Sequence, residues 1–170
     1  MASLIDELID VLDKEEKEYQ DLILLSQEKT PVIVKGDLEK LQKITEAEQF
    51  VVGKLNKLEK KRAEVAKDIA IVLGKDEDGL KVSDIIDILA SQKAEQERLK
   101  EVYDRLKATL KEMVRLNDMN KGLIKESLEF IEFNMNLYKG IYQEPETGNY
   151  TKTASASMPM ATPGVFDAKQ

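Results

Sequence analysis

The sequence lacks histidine, cysteine and tryptophan altogether, although it is 170 residues long. Histidine is the side chain that most often acts as a base or binds a metal ion near neutral pH. Cysteine supplies nucleophilic thiolates, disulfide bonds and thiolate metal sites. The eight glycines are scattered along the chain and form no glycine-rich phosphate loop. We therefore predict a protein that is not an enzyme and that holds no cofactor and no metal ion.

The chain is poor in aromatic residues, at 5%, and rich in charged ones, at 35%. Its net charge of −7 argues against a nucleic-acid partner, because binding to the phosphate backbone needs a positive surface. No apolar run approaches the roughly 20 residues of a membrane span, and no apolar targeting segment begins the chain. We therefore expect a cytoplasmic protein without stable membrane insertion. Rich charge with few aromatics is typical of long amphipathic helices.

A first helix is predicted from Leu4 to Glu28, with Ser3 as its N-cap. Thr30-Pro31 is predicted to end it, since proline disfavours helix in the residue before it. The strand-like run Val32–Val34 is then a connector packed on the other helices. The apolar stripe of this helix has heptad spacing with one polar position, Glu15, and its apolar members are Ile5, Leu8, Leu12, Tyr19 and Leu22.

A second helix is predicted to begin after the N-cap Asp37 and to end at Gly74. Ten positions in a row alternate steps of three and four residues, which is a strong heptad signal. These positions are Leu41, Ile44, Glu48, Val51, Leu55, Leu58, Arg62, Val65, Ile69 and Val72.

A third helical segment is predicted to start at the cap Ser83 and to run to about Ile141, with a polar stretch at 91–98 where it kinks or leaves the bundle. A helix of some 60 residues would reach roughly 90 Å, which exceeds a compact bundle of this mass. The molecule must therefore be elongated, bent near residues 91–97, or paired with a second copy as a homodimer.

The fold class expected is all-α, an elongated antiparallel bundle or coiled coil of three to four helices. Residues 1–143 form the helical domain, and residues 144–170 form an extended or disordered tail, since they hold three of the four prolines and show no periodicity. If that tail is ordered, we expect its large apolar residues to occupy an apolar surface on this molecule or on a neighbour, where they could mimic a client. These residues are Met158, Met160, Val165 and Phe166.

The stretch LNDMNKGLIKESLEFIEFNMNLY, Leu116–Tyr138, places amides and a serine in line with apolar residues. Asn120, Ser127 and Asn134 form a polar column whose two flanking columns stay apolar. One interpretation is structural: buried amides fix the register of a bundle. The other is functional: the wide apolar arc is a groove for a partner helix, and the amides choose that partner. Both interpretations remain open from the sequence.

The order of elements and three local motifs resemble the FlgN family of flagellar type III export chaperones. The motifs are VKGDLEKLQKI at Val34–Ile44, LNKLEKKRAEV at Leu55–Val65 and LNDMNKGLIKESLEFI at Leu116–Ile131. The third is the most specific, because it fits the family's Asn-x-x-Asn-x-x-Leu-Ile-x-x-Ser-Leu pattern. The resemblance spans roughly residues 4–150.

The resemblance implies a chaperone that binds the C-terminal helices of the hook-associated proteins FlgK and FlgL, keeps them unassembled and delivers them to the export apparatus. A structural coiled-coil or adaptor protein without a secreted client is the alternative, and a membrane-surface helix is disfavoured because the long helices are acid-rich. The residues onto which partner binding is carried lie in the last helix: Leu116, Asn120, Leu123, Ile124, Ser127, Phe130, Ile131, Asn134 and Tyr138.

Overall fold

A computed structural model of the chain describes residues 1–75 and 80–142. Helices account for nearly all of these residues, and the described part contains no strand. The elements are α1 (Ala2–Lys35), α2 (Leu38–Val72), α3 (Val82–Ile88), a 3₁₀ helix (Leu89–Ser91) and α4 (Lys93–Tyr142). The all-α prediction is confirmed. The expected tail and its boundary at residue 143 lie outside the described residues.

Helix α1 is longer than predicted, and the prediction that Pro31 ends it is wrong. Proline already has a helical φ, but it lacks the N–H that would bond to the Gln27 carbonyl four residues earlier, and its ring crowds that carbonyl. Gln27 and Pro31 both lie on the exposed side of the helix, where water can bond that carbonyl. Beyond the proline, Ile33 is buried, and Gly36 ends the helix in the left-handed conformation with a φ of 69°. Val32–Val34 is therefore the last turn of α1 and not a connector.

The N-terminal ends of α1, α2 and α3 follow the capping rules only in part. The side chain of Asp37 accepts a hydrogen bond from the backbone N–H of Lys40 at 3.1 Å, which confirms it as the N-cap of α2. Ser3 and Ser83 are not caps: α1 begins after Met1 and α3 after Lys81. The first turn of α3 is closed by the Asp84 carboxylate, which accepts from the Lys81 N–H at 2.9 Å.

The C-cap of α2 lies one residue before the predicted cap Gly74, and the break before α4 overlaps the predicted stretch 91–98 only at its start, since the residues from Lys93 onward belong to α4. Gly74 has a φ of 61° and follows the cap residue Leu73. The chain breaks at Leu89–Ser91, and the side chain of Gln96 donates to the Ile86 carbonyl at 2.8 Å across the break. Helix α4 then runs for 50 residues, about 75 Å, so the expected elongated shape is confirmed.

Helix α1 lies between α2 and α4, and ion pairs show the direction of each neighbour. As the residue numbers along α1 increase, those of its ion-pair partners on α2 decrease, so the two helices are antiparallel. The pairs are Glu7–Lys61, Glu18–Lys54 and Lys29–Glu48. The residue numbers of its partners on α4 increase along with those of α1, so α1 and α4 are parallel. The contacts are Asp6–Arg98, Asp13–Arg105 and Thr30–Asn120. The described chain is thus an up-down-up arrangement of three long helices.

The hydrophobic core is concentrated at one end of this arrangement, where the first half of α1 meets the last turns of α2, α3 and the first turns of α4. Its most deeply buried members are Ile5, Leu8, Leu12, Val65, Ile69, Ile85 and Leu99. A second, much smaller cluster contains Leu22, Val51 and Leu55. Packing therefore becomes sparser toward the C-terminal end of α1, and the same end of the molecule holds the second half of α4.

The one polar position of the α1 stripe, Glu15, is buried, and its carboxylate accepts a hydrogen bond from Arg62 of α2 at 3.0 Å. Both residues occupy heptad positions, so the pair replaces an apolar contact within the interface. Burial raises the pKa of Glu15, and the charge of Arg62 opposes that rise without cancelling it. Ionisation of Glu15 in the folded protein therefore lowers the stability of the folded state.

We expect Glu15→Gln to become progressively more stable relative to the unmodified protein as the pH rises from about 4 to 7. An acid whose folded-state pKa is raised contributes stability below its ordinary pKa, near 4.3, and that contribution is lost as the pH rises through the folded pKa. Glutamine does not titrate and can still accept from Arg62. Urea unfolding across this range measures the difference. Glu46→Gln, at an exposed position of α2 about 24 Å along the helix from Arg62, is the control, and a difference independent of pH would contradict the expectation.

Candidate partner-binding site

The second half of α4 extends past the end of α1. Asn120 lies beside Thr30, with a distance of 2.7 Å between the Thr30 hydroxyl and the amide oxygen. Since the two helices are parallel, Lys35, the last residue of α1, lies near residue 125 of α4. About 17 residues of α4 remain beyond that point, roughly 25 Å of helix. This part of α4 has no α1 residues alongside to cover it.

An apolar cleft of about 190 Å³ opens where α4 passes the turn between α1 and α2. The last turns of α1 form its floor, and the first turns of α2 and the middle of α4 form its walls. Apart from Gly36 and Ser127, every lining residue is aliphatic: Val32, Ile33, Leu38, Leu41, Ile124, Leu128 and Ile131. The cleft is open to solvent and could accept an apolar side chain from a partner.

Beyond the cleft, α4 exposes large apolar residues around most of its circumference. Each is more than half exposed, and they are Leu128, Phe130, Ile131, Phe133, Met135, Leu137, Tyr138 and Ile141. A helix that packs by one face in water needs an apolar arc of about 100° with polar residues opposite it. An apolar surface of this extent on a soluble chain usually marks a binding site. We call these eight residues the exposed α4 face.

The structure places the nine predicted partner-binding residues in three different surroundings. Leu116 and Asn120 are buried between the protein's own helices. Leu123, Ile124 and Ser127 are half-buried, and the last two line the cleft. Phe130, Ile131, Asn134 and Tyr138 are exposed, and Ile131 also lines the cleft.

Asn120 makes its hydrogen bonds within the protein. Its amide nitrogen donates to the Ser26 carbonyl at 2.8 Å, and its amide oxygen accepts from the Thr30 hydroxyl at 2.7 Å. The side chain is only 3% exposed, and no described buried side-chain polar atom lacks a partner. These bonds hold α4 at one register on α1, so the structural interpretation applies to Asn120. We therefore leave Leu116 and Asn120 out of the surface proposed below.

Sequence reasoning missed the contribution of the α1–α2 turn to this site. Val32, Ile33, Leu38 and Leu41 supply the floor and one wall of the cleft. A signal was present: Leu22, Ser26, Lys29 and Ile33 continue the alternation of three- and four-residue steps through the proline, and Gly36 follows as a helix terminator. In the sequence, Pro31 predicts the end of the helix more strongly than this periodicity predicts its continuation.

Charges near the exposed α4 face have both signs. Lys125, Glu126, Glu129, Glu132 and Lys139 all lie on the same part of the helix. Among the described residues, no group of three or more acidic side chains is placed to hold a metal ion. The helices of the described chain include none that combines the length and the apolar character needed to cross a bilayer. The chemistry that the site offers is therefore contact with an apolar surface, bordered by amides and by charges of both signs.

The fold and this site together define an elongated helical protein with a large uncovered apolar face on its last helix. Comparison with known proteins identifies it further: the chain belongs to the FlgN family, whose sequence profile, described as FlgN protein, matches residues 1–157. The chain is also similar to the uncharacterized protein YvyG of Bacillus subtilis (strain 168), with 28% identity over 152 residues that cover 89% of each chain. No solved structure matches.

Family membership confirms the resemblance that the asparagine-containing motif predicts. FlgN proteins are flagellar export chaperones that bind hook-associated proteins, and they are not enzymes. The coarse role of this chain is therefore that of a flagellar export chaperone.

Proposed function

We propose that this protein binds the C-terminal helical segments of FlgK and FlgL on the exposed α4 face and in the adjoining cleft. The observation that carries the proposal is the amount of apolar surface between Leu128 and Ile141 that the described chain leaves in contact with water. In this proposal, Phe130 and Ile131 are the central contacts, and the cleft receives one large apolar side chain of the client.

Covering a client helix prevents its premature assembly by a simple physical route. The end of a protein that polymerises through amphipathic helices exposes an apolar stripe, and two such stripes associate in water. A client stripe laid along α4 is hidden from other copies until it is released. Asn134, exposed beside the apolar residues, would add selectivity, because a partner that leaves a buried amide unsatisfied loses about 1–3 kcal/mol.

The proposal includes delivery of the bound client to the export apparatus, and so a location in the cytoplasm where export begins. Leu123, Ile124 and Ser127 belong to the proposed surface at its cleft end, and Tyr138 belongs to it near the end of α4. The alternative, a structural coiled-coil protein without a client, would cover the same face with a second copy of this chain as a homodimer. The two functions differ in what the purified protein binds.

Calorimetric titration with peptides from the C-terminal helices of FlgK and FlgL tests the proposal. We expect one peptide per chain, with a negative change in heat capacity, because apolar surface is buried on binding. Peptides in which the apolar stripe is replaced by serine are the controls and should not bind. If neither native peptide binds, and sedimentation shows dimers that dissociate on dilution, the structural alternative replaces the chaperone proposal.

A further inference from the structure

The end of the chain carries a segment whose composition suits the cleft. From Thr153 to Phe166 the sequence TASASMPMATPGVF has no charged residue, whereas 35% of the whole chain is charged. This segment contains four large apolar residues, Met158, Met160, Val165 and Phe166, and two prolines that disfavour helix. It belongs to residues 143–170, which lie outside the described part of the structure and follow directly on α4.

We propose that, when no client is bound, the segment Met158–Phe166 of the same chain occupies the cleft and competes with the client. The inference deepens the proposed function, since it names what regulates the same site. A cavity of about 150 Å³ accommodates a benzene ring, so the cleft, at about 190 Å³, can hold the side chain of Phe166 or of a methionine. The lining is almost wholly aliphatic, which matches the uncharged segment and would not suit the charged remainder of the chain.

The length of the connecting chain permits this contact. The cleft residue Leu128 lies 14 residues before the end of α4 at Tyr142, which is about 21 Å along the helix. Met158 lies 16 positions after Tyr142, and a flexible chain of that length has an end-to-end distance of roughly 20–25 Å. The segment can therefore reach the cleft without being stretched. Because it is tethered, its effective concentration there is in the millimolar range, so even a weak contact is populated.

Competition from the tail changes the client affinity by a calculable amount. If the segment occupies the cleft nine-tenths of the time, the apparent dissociation constant of the client is raised about tenfold. The full-length variant Met158→Ser with Met160→Ser and Phe166→Ser should therefore bind the FlgK or FlgL peptide roughly three- to tenfold more tightly than the unmodified chain. The matched control replaces three small residues of the same segment, Ala154, Ala156 and Ala161, with serine, and it should not change the affinity. Equal or weaker binding by the methionine and phenylalanine variant would overturn the proposal.

A cross-linking experiment tests the contact without any client. The chain contains no cysteine, so pairs of cysteines can be introduced into the full-length protein without background. Asp167→Cys, next to Phe166, is combined with Lys35→Cys, an exposed residue that precedes the cleft residue Gly36. The control is the same pair of cysteines in a chain that also carries Met158→Ser, Met160→Ser and Phe166→Ser, so the tether and both cysteine positions are unchanged.

Under mild oxidation, we expect the pair at 35 and 167 to form an intramolecular disulfide at least about threefold faster in the otherwise unmodified chain than in the serine variant, because the contact holds the two cysteines close. Equal rates in the two chains, or a disulfide that joins two chains, would overturn the proposal, and the second result would assign the cleft to another copy. Because no peptide is present, this outcome stays informative even if FlgK and FlgL peptides fail to bind.

Discussion

Replacing Phe130 and Ile131 together by aspartate should abolish binding of the FlgK and FlgL peptides while the free protein stays folded. Each side chain is proposed as a central contact, and truncating such a contact typically costs about 2 kcal/mol or more. The pair is therefore worth at least about 4 kcal/mol, or roughly a thousandfold in affinity. The new carboxylates add to the loss, since they would be buried against an apolar stripe without partners. Calorimetry at a fixed salt concentration measures the change.

The stability of the same variant distinguishes a binding surface from a core. Phe130 is 65% exposed and Ile131 is 53% exposed, so their replacement should change the free energy of unfolding by no more than about 1 kcal/mol. Urea unfolding followed by circular dichroism gives this value directly. A variant that melts at room temperature would mean that these residues belong to the protein's own core, and the proposed surface would have to be abandoned.

The chain offers a closely matched control for this pair on the opposite flank of α1. Phe50 and Ile71 lie on α2, are 69% and 52% exposed, and do not line the cleft. The variant Phe50→Asp with Ile71→Asp therefore makes the same chemical change at nearly the same exposure, with the same added charge. It should keep the client affinity within about twofold, since surface charges away from an interface contribute little. If both variants lose binding alike, the effect comes from net charge and not from the exposed α4 face.

The heptad spacing predicted the long helices because the 3.6-residue period is a local property of the chain. The same spacing that marked Leu8 and Leu12 as interior also marked Glu15 and Arg62, and the structure joins the last two across the α1–α2 interface. Pro31 misled the prediction because its effect on a helix depends on its surroundings. On the exposed side the carbonyl that loses its hydrogen bond is accessible to water, and the burial of Ile33 beyond the proline favours continuing the helix.

The candidate site could be predicted only in part, because it depends on the register of α4 relative to α1. Asn120 and Asn134 belong to one heptad column, and both have apolar columns on either side. Asn120 is buried against Ser26 and Thr30, and Asn134 is exposed. Nothing local distinguishes them, since the difference arises from the residue at which α1 ends. The cleft was missed for the same reason, as much of its lining comes from the α1–α2 turn.

The bonds of Asn120 make a second large effect predictable: Asn120→Asp should destabilise the protein by about 3 kcal/mol or more at pH 7. The amide nitrogen that lies 2.8 Å from the Ser26 carbonyl oxygen would be replaced by a carboxylate oxygen. Two acceptors would then face each other in a buried position, and one of them would carry a charge. The bond from the Thr30 hydroxyl can persist but does not offset this repulsion. Urea unfolding at pH 7 measures the loss.

The pH dependence of that loss identifies its cause. Once the introduced carboxyl group of the Asn120→Asp variant is protonated, it can donate to the Ser26 carbonyl, so the folded state raises the pKa of this group. The variant should therefore recover stability, relative to the unmodified protein, as the pH falls toward about 4, the ordinary value for aspartate. Asn117→Asp makes the same change three residues earlier on α4, where the side chain is exposed, and should stay within about 0.5 kcal/mol of the unmodified protein at both pH values. A loss of similar size in both variants would show that α4 tolerates no added charge in this region and that Asn120 does not set the register of α4 on α1.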